Sequence, residues 1–115
     1  MLTPQKIENR LYDLSKEVDE TNEELIKGEK EYHTSKASLE ISMAKSRLKN
    51  SHPDLKMTVQ MRDDQALIDN EDLYMRVAVA EVSVKAARAN VQKVRTQVDI
   101  ARSIGTSVRT SMELV

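Results

Sequence analysis

Residues 73–101 read LYMRVAVAEVSVKAARANVQKVRTQVDIA, and their spacing decides the fold. Val77, Val84, Val91 and Val98 recur every seven residues, and the series continues through Gly105 and Met112. Leu73, Ala80, Ala87, Val94, Ala101 and Val108 occupy the matching position three residues later in each heptad. We label these series a and d. Seven residues make two turns at 3.5 per turn, so a seam held this long belongs to a left-handed coiled coil. The alanines at d let a second helix approach closely.

The partner lies upstream. Thr3 precedes Pro4, a hydroxyl cap followed by a proline at the first helical position. Leu11, Val18, Leu25, Tyr32 and Leu39 then fall at a, with Ile7, Leu14, Thr21, Gly28, Ser35 and Ser42 at d. The d series turns small after Leu14, again allowing close approach, although Gly28 costs roughly 1 kcal/mol of helix propensity against alanine. The run Asn50-Ser51-His52-Pro53-Asp54 ends this helix, because proline disfavours a helical residue before it and Asn, Ser and Asp suit turns. Thr58 is the expected cap of the next helix. The spacing predicts an all-α fold of one domain, a long antiparallel helical hairpin. Its helices would cover about residues 4–50 and 58–112, joined by a turn at about 51–57. Asp63 and Asn70 fall at a, so a polar, looser seam is expected near the turn.

Composition agrees. The 115 residues are 39% apolar but only 3% aromatic and 32% charged, which suits a narrow seam better than a globular core. Two glycines and two prolines leave too few turns for a many-stranded sheet. With no cysteine there is no disulfide or thiolate metal site, as a reducing compartment would favour. The N-terminal MLTPQKIENR has no signal-like apolar run, and nothing approaches the ~18 apolar residues of a membrane span. A soluble, intracellular protein is expected.

A second apolar face is left over. Met75, Val79, Val82, Ala86 and Ala89 fall at f and c, away from the hairpin seam. Such a stripe on a charged protein requires a partner, so the hairpin is expected to assemble into an oligomeric bundle through its second helix.

Charge comes in blocks. Residues 8–31 carry nine acids against four bases, and Lys36, Lys45, Arg47 and Lys49 face only Glu40 within residues 33–52. Acids return at Asp63, Asp64, Asp69, Glu71 and Asp72, and bases dominate from Leu73 onward. Folding at Pro53 sets each acidic block beside a basic one, so most charges read as flanking pairs, each worth a few tenths of a kcal/mol. Lys45, Arg47 and Lys49 near the turn, and Arg88, Arg95 and Arg102 at seven-residue intervals, could instead form a positive band for nucleic-acid phosphates.

Catalytic chemistry is missing. His33 and His52 lack metal-pair spacing and read as solvated side chains, and no phosphate loop or nucleophile motif occurs. Asp69, Glu71 and Asp72 lack the ligand spacing of a calcium loop. No enzyme and no cofactor are expected. Tyr32 belongs to the seam, whereas Tyr12 and Tyr74 lie off it and could face a ligand or a partner. With so few aromatic platforms, any strand binding would rest on phosphates.

EYHTSKASLEISMAKSRLK (residues 31–49), KMTVQMRDDQALID (56–69) and KAARANVQKVRTQVDIARSIGTSVRTSM (85–112), taken in that order, resemble small phage coiled-coil proteins of the UvsY-like recombination-mediator type. The resemblance is one of pattern and covers about residues 30–112. It implies an oligomeric mediator in the cytoplasm of a phage-infected bacterium. Such a protein binds single-stranded DNA and loads a recombinase onto strands covered by single-strand-binding protein. Lys45, Arg47 and Lys49 match the basic end of the family's first helix, and Lys36 upstream is a further candidate for phosphate contact. Arg95, Arg102 and Arg109 lie in its terminal segment. The alternative is a structural or protein-binding coiled coil, such as a virion component, scaffold or inhibitor, with no nucleic-acid role.

Overall fold

The computed structural model describes residues 1–113. Three α-helices carry the chain: α1 at Pro4–Lys49, α2 at Val59–Asp69 and α3 at Glu71–Glu113, with a 3-10 turn at Pro53–Leu55 after α1. The described residues contain no strand. The fold is all-α, and α1 pairs antiparallel with the later helices as a helical hairpin.

Capping chemistry sets the helix starts. Thr3 Oγ1 accepts the Lys6 N–H at 3.2 Å, and Thr58 Oγ1 accepts the Met61 N–H at 3.1 Å. At the end of α1, the Ser51 hydroxyl and N–H both donate to the Leu48 carbonyl, at 2.7 and 3.2 Å, closing a tightened last turn. His52 Nδ1 then accepts the Asp54 N–H at 3.3 Å, so this histidine caps the 3-10 turn, a role its sequence context did not suggest. Lys56 leaves the turn with φ 48°, in the left-handed region.

Contacts divide the chain into two units. The first joins Met1–Ile26 to the stretch from Lys85 onward. Its centre is Leu14, 1% exposed, packed with Val94 and Ala101 and flanked by the half-buried Leu11, Val18 and Val98. Ile7 is buried too, and its Cγ2 lies 3.1 Å from where a β-carbon on Gly105 would sit. Moving forward from Ile7 to Leu14 thus means moving back from Gly105, the antiparallel sense.

The second unit is Lys27–Val84 and contains the turn. Gly28 faces Val84, whose Cγ2 would lie 3.7 Å from an added β-carbon. Ser42 faces Asn70 through a hydrogen bond. From Gly28 to Ser42 α1 advances by as many residues as the opposite segment retreats from Val84 to Asn70. Each unit therefore sets d of α1 against a of the later segment.

One expected helix is two. The 58–112 helix is interrupted at Asn70, which ends α2 with φ −118° and ψ 25°. Its backbone N–H reaches the Leu67 carbonyl at 3.2 Å, and its own side-chain Nδ2 donates to the Ala66 carbonyl at 2.7 Å. The side chain thereby replaces the i→i−4 bond that the backbone gives up. Asn70 Nδ2 also donates to Ser46 Oγ at 3.1 Å, and Ser42 Oγ donates to Asn70 Oδ1. The polar seam expected near the turn is there but is not loose: Asn70 is 6% exposed and bonded on both ends of its amide.

Candidate functional site

Two sets of exposed side chains stand out, the bases toward the end of α1 and an apolar heptad series on the later helices. Lys36, Lys45, Arg47 and Lys49 are all exposed on the α1 arm of the second unit. Arg47 is already engaged, its Nε donating to Asp63 Oδ1 at 2.9 Å with both side chains about half exposed. That pair is the flanking contact expected from the charge blocks. Lys36 Nζ sits 5.9 Å from the centre of the Tyr32 ring, at the limit of a cation–π contact.

The bases of α3 have acids nearby in the first unit. Arg95 and Arg102 are exposed and line an open groove with Asp19 and Asp99. Arg109 Nε donates to the Gly105 carbonyl at 3.3 Å. Arg95 and Arg102 therefore belong to a mixed surface rather than to a purely basic track. Lys45 and Lys49 thus form the cleaner cationic pair.

The aromatic residues divide as their spacing suggests. Tyr32 is half-buried and meets His33 edge-on at 5.2 Å. Tyr12 and Tyr74 are exposed, and Lys16 Nζ covers the Tyr12 ring at 4.5 Å, so that face already holds a cation of its own helix.

Met75, Val79, Val82, Ala86 and Ala89 are exposed, Val82 to 66%. Met61 and Ile68 on α2 are exposed as well, Ile68 to 66%. Met61, Ile68, Met75, Val82 and Ala89 follow one another at seven-residue intervals. The two α2 members were missed because Asp63, Asp64 and Asp69 made that stretch read as polar; the interval alone could have found them.

The described residues hold no group of three or more His, Asp or Glu side chains able to bind a metal ion. No described helix is long and apolar enough to cross a membrane. No protein-family model matches the chain, and no curated protein or solved structure is significantly similar to it.

Proposed function

We propose that this chain is a non-enzymatic accessory protein of phage DNA recombination, which assembles with copies of itself and holds single-stranded DNA by its phosphates. The observation that carries the reading is the exposure of Lys36, Lys45 and Lys49 along one arm of the second unit, opposed within residues 33–52 only by Glu40. Brought together in an oligomer, such cations raise the local potential and release counterions when they meet phosphates. Arg95, Arg102 and Arg109 add weaker contacts. Help in loading a recombinase, a single-strand-binding protein as neighbour, and the cytoplasm of an infected bacterium as location all rest on the resemblance to UvsY-like mediators.

A second reading has its own observation. The Arg47–Asp63 pair and the exposed f series suit a coiled coil that binds only protein, whose charges do no more than set register. Fluorescence polarisation with a labelled single-stranded oligonucleotide separates the two. The DNA reading expects binding at low salt that weakens steeply as salt rises. In the Lys45→Glu/Lys49→Glu variant the log–log salt slope should flatten by about 0.7 for each phosphate the protein no longer neutralises. Absence of binding at low salt, or an unchanged slope in the variant, leaves the protein-binding reading in its place.

A further inference from the structure

α2 and the first turn of α3 set a row of acids between two rows of apolar side chains. Counting from Asn70 as a, Met61 and Ile68 fall at f, Leu67 and Tyr74 at e, and Asp64 and Glu71 at b. Around a helix b lies between e and f, so the carboxylates run up the middle of the two apolar rows. All six side chains are exposed, and all belong to the second unit. The seam beside them is filled by Ala66 and Asn70, which are buried, so Leu67 and Ile68 are left to the outside, Ile68 to 66%. Asp64 Oδ1 accepts a hydrogen bond from Gln60 Nε2 at 2.9 Å, a neutral donor that does not offset the carboxylate's charge.

A strip of large apolar side chains open to water marks a contact with another macromolecule. The acids narrow its identity. Phosphates of a nucleic acid or of an anionic lipid surface would meet Asp64 and Glu71 as like charges, and so would the same strip of a second copy. Lysine and arginine side chains of a partner would be drawn to them. The strip covers residues 61–74, about 20 Å at 1.5 Å per residue, and its members recur every three or four residues, as those of a facing helix would.

We infer that this strip docks a basic amphipathic helix of another protein, one whose lysines or arginines run between two apolar rows. Its cations meet Asp64 and Glu71 in charge-assisted contacts, and its apolar rows cover Met61, Leu67, Ile68 and the Tyr74 ring. The self-assembly proposed above uses Met75, Val79 and Val82, further along α3, and the strand binding uses lysines of α1. The docking strip claims none of these residues and stands whether or not DNA is bound.

A peptide of known design tests it on the full chain. The probe is a short labelled helical peptide of leucine and lysine with its lysine row between two leucine rows; the control peptide carries glutamate for lysine. In fluorescence polarisation at low salt the chain should bind the lysine peptide and not the glutamate one. Leu67→Ser/Ile68→Ser should weaken that binding about tenfold while circular dichroism keeps the helical signal. Asp64→Lys/Glu71→Lys should reverse the preference, taking the glutamate peptide over the lysine one. Glu23→Lys/Glu24→Lys, a change of two exposed acids on α1, should leave binding within about twofold. Failure to bind the lysine peptide would overturn the inference, as would equal weakening by the Glu23/Glu24 variant, which reduces the effect to bulk charge. A fall in the mass of the chain alone on Leu67→Ser/Ile68→Ser, read by light scattering, would assign the strip to a second copy and overturn it too. Oligonucleotide polarisation on the same preparations reads strand binding separately.

Discussion

The two units share one heptad pattern and differ in what fills it. In the first, the seam is apolar through its centre: Leu14 is 1% exposed and packs on Val94 and Ala101. In the second, the corresponding place holds an amide, Asn70, clasped by Ser42, Ser46 and the Ala66 carbonyl. Burying a leucine rewards any register that keeps apolar residues inside, and helices can slip by a heptad while doing so. An amide is more selective. Shifted by seven residues, Asn70 would face Ser35 and Leu39, or Lys49 and Pro53, instead of two hydroxyls one turn apart. A polar residue at a coiled-coil core position fixes register in this way. Leu39, Ala66, Ala80 and Val84 are buried in the second unit as well, so both units hold the arms by apolar burial and the second adds an amide that fixes their alignment.

The glycines repeat the contrast. Neither has positive φ, so backbone conformation does not demand glycine at either place. A β-carbon at Gly28 would stand at ordinary contact distance from Val84, whereas one at Gly105 would press on Ile7. The apolar unit is the more tightly closed at its glycine.

Substitutions can break or sharpen this contrast. Leu14→Ala should have the largest effect, a loss of about 3 kcal/mol in chemical denaturation, because it empties a fully buried site. Hydrogen exchange should show its weakening centred on amides of the first unit. Asn70→Ala should cost about 2 kcal/mol, since the Ser42 and Ser46 hydroxyls lose their partner. If it leaves stability unchanged, the amide does not hold the second unit. Gly28→Ala should raise stability by about 0.8 kcal/mol through helix propensity. At Gly105 the same change should bring little or no gain, because Ile7 must move aside; equal gains would erase the distinction between the two seams. Arg47→Ala should be the smallest, within about 0.5 kcal/mol, as for an exposed ion pair screened by solvent.

Much of the fold was legible before any coordinates. The valine–alanine heptads gave α3, Thr3-Pro4 and Thr58 gave two helix starts, and Asn50 to Asp54 gave the turn. The break at Asn70 was not legible, because it depends on that side chain competing with its own backbone while two serines from another helix hold it. Heptad position made Asn70 a seam residue, and polarity alone made it look loose. Of the candidate surfaces, the apolar stripe from Met75 to Ala89 could be read from spacing. The same seven-residue interval at Ile68 and Met61 was hidden by surrounding aspartates. The engagement of Arg47 with Asp63 followed from block complementarity only as a tendency, since a side chain's choice of partner is settled by local geometry.

The proposed self-assembly runs through the exposed Met75, Val79 and Val82 of α3. Light scattering on the full chain at micromolar concentration tests it most directly. The wild type should have a mass above that of one chain, and Val82→Glu should have the mass of a single chain with its helical signal intact. A wild type of single-chain mass, or a Val82→Glu variant that keeps the mass of the wild type, would contradict it.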